Sequence, residues 1–148
     1  MTSTPPQPPF TVDDHRHMAR ALELAERAAY STDPNPRVGC VLVRDSAVVG
    51  EGWHRKFGEP HAEREAITNA TEDVAGATAI VTLEPCSHVG KQPPCADLLI
   101  ERKIGRVIIG MQDANPLVSG NGIERLRAAG IEVTVGVLGA ECAWLDRT

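Results

Sequence analysis

The stretch of sequence that decides the fold runs from Thr78 to Met111 and reads TAIVTLEPCSHVGKQPPCADLLIERKIGRVIIGM. Residues 78–83 and 106–111 are short apolar runs rich in β-branched side chains, a pattern typical of buried strands. Between them, the polar residues 84–93 predict a long loop, and residues 94–103 predict a helix that begins with a proline. A strand, a helix and a second strand in this order predict a parallel pair with the helix on one face of the sheet.

The flanking sequence adds further helices and strands to this unit. Towards the N-terminus, Thr11 is placed to cap a helix, because acidic residues follow it and apolar residues then recur at helical spacing. The dipeptide Asp45-Ser46 separates two strand-like runs and predicts a hairpin. The elements predicted outside residues 78–111 are helices at 11–30, 61–71 and 123–129, strands at 38–43, 48–53 and 131–137, and a helical stub at the C-terminus. This order predicts an α/β fold, a three-layer α-β-α sandwich around a mixed five-stranded sheet.

The length and composition predict one domain after a short leader. With 148 residues, of which 42% are hydrophobic, the chain has the size of a single domain with one core. Residues 1–10 are rich in proline, threonine and serine and are predicted to be disordered, and residues 11–148 are predicted to form the folded domain. No apolar run approaches the ~20 residues of a membrane span, and the leader lacks the order of a secretory signal. We therefore predict a cytoplasmic protein that does not bind membranes.

The charge and the aromatic content argue against nucleic acid as a partner. The net charge is −5 and aromatic residues make up 3% of the chain. These values disfavour both a broad surface for phosphate backbones and a platform for stacked bases. A nucleotide-sized anion held by one or two local cations is compatible with them, so a small-molecule partner is expected.

Two of the four cysteines stand in a metal-binding context. Cys40 and Cys142 are expected to be small buried hydrophobes. Cys86 and Cys95, together with His61, are ligand types that zinc prefers, and three protein ligands leave the fourth tetrahedral position of a Zn²⁺ ion open for water. A structural zinc site would normally have a fourth cysteine or histidine, so we predict one catalytic zinc ion per chain.

Glu63 completes this group as a proton carrier. Two thiolates neutralise the charge of the zinc ion, so the ion polarises its bound water less than a site with only histidine ligands would. A neighbouring acceptor is therefore needed to take a proton from water. Because residues two apart do not face each other on a helix, His61 and Glu63 must reach a metal that lies off the helix end. Cys95 is also predicted at a helix start, where the dipole is expected to lower its thiol pKa. In this order, the residues match the pattern of zinc-dependent base deaminases, apart from a wider gap between the cysteines.

Longer motifs then point to a family. They are STDPNPRVGC at residues 31–40, GEGWH at 50–54, HAE at 61–63 and VTLEPCSHVGKQPPCAD at 81–97. Together they resemble the deaminase domain of bacterial riboflavin biosynthesis enzymes, which belongs to the cytidine deaminase-like superfamily, and the likeness covers residues 14–145. The stretch between Cys86 and Cys95 is the specific part, because transfer-RNA adenosine and guanine deaminases usually have two residues between these cysteines.

The resemblance implies an activity and a substrate. It implies a zinc-dependent hydrolase that acts on the C–N bond of a cyclic amidine. The implied substrate is 2,5-diamino-6-ribosylamino-4(3H)-pyrimidinone 5′-phosphate, whose ring 2-amino group leaves as ammonia to give 5-amino-6-ribosylaminouracil 5′-phosphate. Glu63 is implied to carry protons from water to a ring nitrogen and to the departing amine, Asn35 to orient the base, and Lys91 to bind the phosphate. The further positions implied to line the ribose-phosphate side are His54, His88, Asp113 and Asn115.

Two departures from the family leave alternatives open. Members commonly continue into a reductase domain, and no nicotinamide-binding segment is found up to Thr148, so a separate reductase protein is expected. Gln92 stands where the family often has threonine. The alternatives are a deaminase of cytosine, guanine or a specialised-metabolite nucleotide and, from another class, a non-catalytic zinc-stabilised binding module. By resemblance alone, a homo-oligomer is also expected.

Overall fold

The computed structural model describes residues 10–27, 37–54, 61–87, 94–112 and 119–139. Within these ranges the chain forms four helices and five strands. In chain order they are α1 (Val12–Glu26), β1 (Gly39–Arg44), β2 (Ala47–Trp53), α2 (Ala62–Thr68), β3 (Thr78–Leu83), α3 (Cys95–Glu101), β4 (Arg106–Met111), α4 (Asn121–Ala128) and β5 (Glu132–Val135). Residues 1–9 of the predicted leader and the predicted C-terminal stub, with Cys142, lie outside the described residues. None of the helices in the described ranges has the length and apolar character that a membrane crossing requires.

The strands form one mixed sheet in the order β2-β1-β3-β4-β5. β1 pairs antiparallel with both β2 and β3, whereas β3 and β4, and β4 and β5, are parallel. The turn Asp45-Ser46 joins β1 to β2, and its φ values of 52° and 66° suit a two-residue hairpin. α3 and α4 provide the crossovers that parallel neighbours need. The predicted mixed five-stranded sheet is confirmed.

Alternate residues of the strands bury two separate cores. On β1, Val41 and Val43 face α1, whereas Cys40 and Leu42 face the opposite side. One core joins α1 to the first face of the sheet, and the other joins α2, α3 and α4 to the second face. This division follows from the period of two along a strand. The predicted three-layer α-β-α sandwich is therefore confirmed.

The ends of α2 and β5 differ from those predicted. α2 ends at Thr68, short of the predicted residue 71, because the N–H of Thr71 donates to the carbonyl of Val49 at 2.8 Å and turns the chain along β2. β5 ends at Val135 rather than at residue 137, because Gly136 takes a φ of 109° and leaves the strand conformation.

The helices α3 and α4 also begin at residues other than those predicted. α3 begins at Cys95, because Pro94 has a ψ of 142° and is the residue before the helix. It ends at Glu101, short of the predicted residue 103. α4 begins at Asn121 rather than at residue 123, directly after Gly120, whose φ of 84° lies in the left-handed region.

A close approach sets α2 against β2. A Cβ atom on Gly52 would stand 2.5 Å from the backbone nitrogen of Ala66 and 2.6 Å from the carbonyl oxygen of Ala62. Only a residue without a side chain leaves room for the helix at this distance. The contact places the N-terminal end of α2 beside the end of β2.

α1 begins with the cap that the sequence predicts. The Thr11 hydroxyl accepts a hydrogen bond from the N–H of Asp14, and the Asp14 carboxylate accepts one from the N–H of Thr11. The same carboxylate binds two guanidinium nitrogens of Arg106, at 3.1 and 2.7 Å, and so ties α1 to the start of β4. The helix ends at Glu26, and its predicted continuation over residues 28–30 lies outside the described part of the chain.

The Asp14–Arg106 pair is expected to contribute measurably to stability. Burial of Asp14 acts to raise its pKa, but the hydrogen bonds and charge of Arg106 and the N–H of Thr11 hold that pKa below its ordinary value. We expect Asp14→Asn to lower the free energy of unfolding at pH 7 by about 2 kcal/mol, measured by urea denaturation. Since the folded-state pKa is depressed, the contribution is present above pH ~3.9 and is lost as the pH falls through the folded value. The two proteins should therefore converge in stability at acid pH.

Asp13→Asn is the matched control for this prediction. Asp13 lies in the same helical turn but pairs with Arg16 at the surface, and exposed pairs of this kind contribute less than ~1 kcal/mol. An equal loss of stability in both variants would attribute the effect to the charge at the helix start rather than to the Asp14–Arg106 pair.

Candidate active site

Two predicted site residues lie at the N-terminus of α2. His61 is the residue before the helix and has an extended backbone, with φ −69° and ψ 166°. Glu63 lies in the first turn and is 3% exposed. Both side chains therefore stand at the helix end, as the spacing of the two residues predicts.

Cys86 and Cys95 reach the same place from the end of β3 and the start of α3. Sγ of Cys95 lies 3.4 Å from Nδ1 of His61, and Sγ of Cys86 lies 3.8 Å from the same nitrogen. The N–H of Cys95 donates to Sγ of Cys86 at 3.2 Å, and the N–H of Ala96 donates to the carbonyl of Cys86 at 3.0 Å. The first turn of α3 therefore holds the end of β3 in place.

The spacing of His61, Cys86 and Cys95 fits a tetrahedral metal ion. These three residues are here called the metal-binding group. One ligand atom from each residue lies within 4.8 Å of the ligand atoms of the other two residues. Ligand atoms around zinc stand about 3.5–3.8 Å apart, given Zn–S bonds of ~2.3 Å and Zn–N bonds of ~2.0 Å. One imidazole and two thiolates are also the donor types that zinc prefers. The group is therefore able to hold one zinc ion.

Without a metal, the two thiols differ in how easily they lose a proton. Hydrogen bonds from the Cys95 thiol, from His61 and from the Cys95 N–H lower the pKa of Cys86 to about 4. The pKa of Cys95 is raised, because its thiol is hydrogen-bonded to Cys86 and is buried.

The prediction that the helix start lowers the pKa of Cys95 is therefore wrong. The first N–H of α3 points to the sulfur of Cys86, so Cys86 gains the stabilisation. Metal binding would release the remaining thiol proton.

The carboxyl group of Glu63 is buried beside the metal-binding group. Burial raises the pKa of Glu63 to about 7, and the negative charge of Cys86 adds to the increase. The charge of His61 and a hydrogen bond with Cys95 act in the opposite direction. A buried carboxyl group with a pKa near neutrality, next to three metal-binding side chains, is suited to accept a proton and then release it.

His54 also lies near the metal-binding group. It follows β2, is 6% exposed, and its ring centroid is 5.1 Å from that of His61 with the rings tilted by 47°. The structure thus brings His54 to the site, and its implied role on the ribose-phosphate side stays a prediction. The other substrate residues implied by the resemblance, Asn35, His88, Lys91, Asp113 and Asn115, lie outside the described residues.

Cys40 is buried close to the site without belonging to the metal-binding group. It is 0% exposed and packs in the core on the α2 side of the sheet. Burial raises the pKa of its thiol well above the ordinary value, and the charge of Glu63 adds to this increase. The prediction of a small buried hydrophobe at this position is confirmed.

The sequence interpretation missed Glu84, which directly precedes Pro85 and Cys86. Its buried carboxylate accepts hydrogen bonds from N–H groups at the start of α4. One signal for this contact is visible in the sequence. The helix opens with Gly120-Asn121-Gly122, so its first turn has glycine at the cap position and needs an acceptor from elsewhere in the chain.

The fold and the site together define a class of protein. A mixed sheet between helical layers, with an imidazole, two cysteines and a buried glutamate at the end of β3, is the arrangement of a zinc-binding deaminase domain. The profile described as the cytidine and deoxycytidylate deaminase zinc-binding region matches residues 11–111, and the chain belongs to this family. The match extends from α1 through β4 and includes all of the metal-binding group. Zinc is confirmed as the cofactor of the domain.

The chain is also similar to particular proteins of this family. It is 52% identical over 136 residues to the riboflavin biosynthesis protein RibD of Escherichia coli strain K12, covering 92% of this chain and 37% of that protein. It is 49% identical over 128 residues to the diaminohydroxyphosphoribosylamino-pyrimidine deaminase of Buchnera aphidicola subsp. Schizaphis graminum, covering 86% of this chain and 87% of that protein. The chain also superposes on a solved structure from Thermotoga maritima with a TM-score of 0.87 at 52% identity, covering 91% of this chain and 39% of that one. That protein is a diaminohydroxyphosphoribosylaminopyrimidine deaminase/5-amino-6-(5-phosphoribosylamino)uracil reductase.

These similarities confirm the resemblance that the sequence motifs indicate. The chain spans 37% of the E. coli protein and 39% of the T. maritima protein, whereas it spans 87% of the Buchnera deaminase. The cytidine deaminase-like fold is confirmed as well.

Proposed function

We propose that this protein releases the ring 2-amino group of 2,5-diamino-6-ribosylamino-4(3H)-pyrimidinone 5′-phosphate as ammonia. The observation that carries the proposal is the burial of Glu63 against the metal-binding group. This buried glutamate belongs to a chain that covers 87% of a relative named as a diaminohydroxyphosphoribosylamino-pyrimidine deaminase. A hydrolytic deamination consumes one water, breaks the exocyclic bond between ring carbon 2 and its amino nitrogen, and forms a C–O bond at the same carbon.

The residues of the site have separate roles in this reaction. His61, Cys86 and Cys95 would hold the zinc ion, which supplies Lewis-acid activation of water when it is bound. Glu63 takes a proton at a carboxylate oxygen, passes it to a ring nitrogen and transfers a proton to the departing amine. A carboxyl group buried beside the metal-binding group can act first as the base and then as the acid of one reaction.

The remaining substrate contacts are carried over from the family resemblance. Asn35 orients the base and Lys91 binds the 5′-phosphate, because a phosphate dianion needs a local cation in a chain with a net charge of −5. The residues proposed for the ribose-phosphate side are His54, His88, Asp113 and Asn115. His54 lies beside the metal-binding group, which supports a place for it in the substrate pocket.

The product of this reaction requires a reductase to consume it. The T. maritima protein is named both as a deaminase and as a 5-amino-6-(5-phosphoribosylamino)uracil reductase, which supports such a partner activity, either on a separate protein or on the same polypeptide. A homo-oligomeric state and a cytoplasmic location stay predictions from the sequence.

Ammonia release tests the proposed substrate. We expect the zinc-loaded protein to deaminate the ribotide with a kcat/KM at least ~10-fold above that for the dephosphorylated nucleoside, since one charged hydrogen bond to the phosphate contributes about 1.5–3 kcal/mol. Removal of zinc by a chelator should abolish the activity, and restoring the ion should restore it.

The other outcomes separate the competing functions. Equal turnover of the ribotide and the nucleoside would contradict a phosphate-binding site and favour a deaminase of another base. If the zinc-loaded protein releases no ammonia from any aminopyrimidine, the non-catalytic binding module is the better description.

A further inference from the structure

A buried carboxylate attaches the end of β3 to α4. Glu84 is 6% exposed and accepts hydrogen bonds from the N–H groups of Gly120 at 3.0 Å, Gly122 at 2.8 Å and Ile123 at 3.2 Å. The N–H of Glu84 donates to the carbonyl of Met111 on β4 at 2.9 Å. This one residue therefore joins β3, β4 and the N-terminus of α4.

The start of α4 is complementary to the segment that contains Glu84. Its cap residue, Gly120, has no side chain that could accept a hydrogen bond from the first turn. A Cβ atom on Gly122 would stand 2.1 Å from the carbonyl oxygen of Pro85, so only glycine lets the helix lie against the residue after Glu84. Both glycines therefore favour capping by a distant carboxylate over capping by a local side chain.

The attachment continues on the other side of Cys86. Arg125 of α4 donates a hydrogen bond to the carbonyl of Ser87 at 3.0 Å. Cys86 therefore lies between two contacts with α4, one through Glu84 and one through Ser87. Its carbonyl and its sulfur are held in addition by the first turn of α3.

We propose that Glu84 is a positioning residue for the metal ligand Cys86. By holding the end of β3 on the N-terminus of α4, its carboxylate keeps Sγ of Cys86 at the distance from His61 and Cys95 that a metal ion needs. The role of α4 in the site is thus to fix a ligand that belongs to another element. This inference rests on the proposed assignment of Cys86 as a ligand.

The variant Glu84→Gln tests this role. A glutamine amide offers one acceptor oxygen and an NH₂ donor, so it cannot accept from all three N–H groups. We expect the zinc Kd to rise about 10–100-fold, measured by competition with a chromogenic chelator. The absorption bands of the Co²⁺-substituted protein should also change, because the placement of the Cys86 sulfur changes. Circular dichroism establishes whether the variant is folded.

Glu124→Gln is the matched control. Glu124 is an exposed glutamate in the same first turn of α4, and its replacement also removes a negative charge from the start of this helix. We expect it to keep the wild-type zinc affinity and Co²⁺ spectrum. The proposal is overturned if folded Glu84→Gln has wild-type values, or if both variants lose the same affinity. Failure of the wild-type protein to bind zinc would instead reject the metal site itself.

Arg125→Ala gives a second test if Glu84→Gln does not fold. Arg125 is exposed, and its removal loosens the other contact between α4 and the segment around Cys86 without disturbing the core. A severalfold rise in the zinc Kd and an altered Co²⁺ spectrum are expected. Wild-type values for both measurements would then contradict the role of α4 in placing Cys86.

Discussion

Replacing Glu63 by glutamine is expected to lower the rate of ammonia release by about 10²–10⁴-fold while the zinc content stays near one ion per chain. Glutamine has nearly the same shape as glutamate, but its amide cannot act as a base or an acid near neutral pH. Glu63 lies buried against the metal-binding group and is not one of its members. The loss should therefore fall on proton transfer and leave metal retention unchanged. Steady-state ammonia release and metal analysis of the same preparation measure both quantities.

Glu72→Gln is the control for this prediction. Glu72 is exposed and follows the end of α2, so its replacement should change neither turnover nor zinc content. Loss of zinc together with turnover in Glu63→Gln would show that Glu63 helps to hold the metal. Turnover close to that of the wild type would remove Glu63 from the mechanism.

The unit from β3 to β4 could be predicted from sequence because its signals are local. β-Branched apolar runs mark both strands, and Cys86 and Cys95 stand at the two ends of one polar loop. His61 joins them from 25 positions before Cys86, and only its chemical type, together with Glu63 two residues later, indicated that it belongs to the same site. The metal-binding group was therefore predictable as a set of donors before any distance between them was known.

Relations between distant segments were not predictable in this way. Glu84 accepts hydrogen bonds from residues 36 to 39 positions later, and no pattern around Glu84 indicates which helix it contacts. The lowered pKa of Cys86 depends chiefly on a hydrogen bond with the thiol of Cys95, which belongs to the next helix. The end of α2 depends on a hydrogen bond to Val49 on a neighbouring strand. In each case the deciding partner comes from another element, so the sequence around the first residue does not identify it.

Replacing Cys95 by alanine is expected to raise the zinc Kd by more than ~100-fold and to abolish turnover. Zinc sites with four protein ligands release about 10–16 kcal/mol on binding, so one ligand contributes about 3 kcal/mol, which is a factor above ~100 in Kd. The side chain of Cys95 lies 3.4 Å from Nδ1 of His61 and is 2% exposed as a residue, so alanine fits the same space without supplying a donor. Chelator competition measures the affinity, and ammonia release should fall with the bound metal.

Cys40→Ala is the matched control, because it also removes one buried thiol from the α2 side of the sheet. Cys40 is 0% exposed and lies outside the metal-binding group, so we expect a loss of about 1 kcal/mol in stability and an unchanged zinc affinity. Both variants leave a cavity of similar size, and only Cys95→Ala removes a ligand. A difference in zinc affinity between the two variants therefore measures ligation separately from packing. Equal zinc affinities in the two variants would mean that Cys95 does not bind the metal, and the assignment of His61, Cys86 and Cys95 as the zinc ligands would fail.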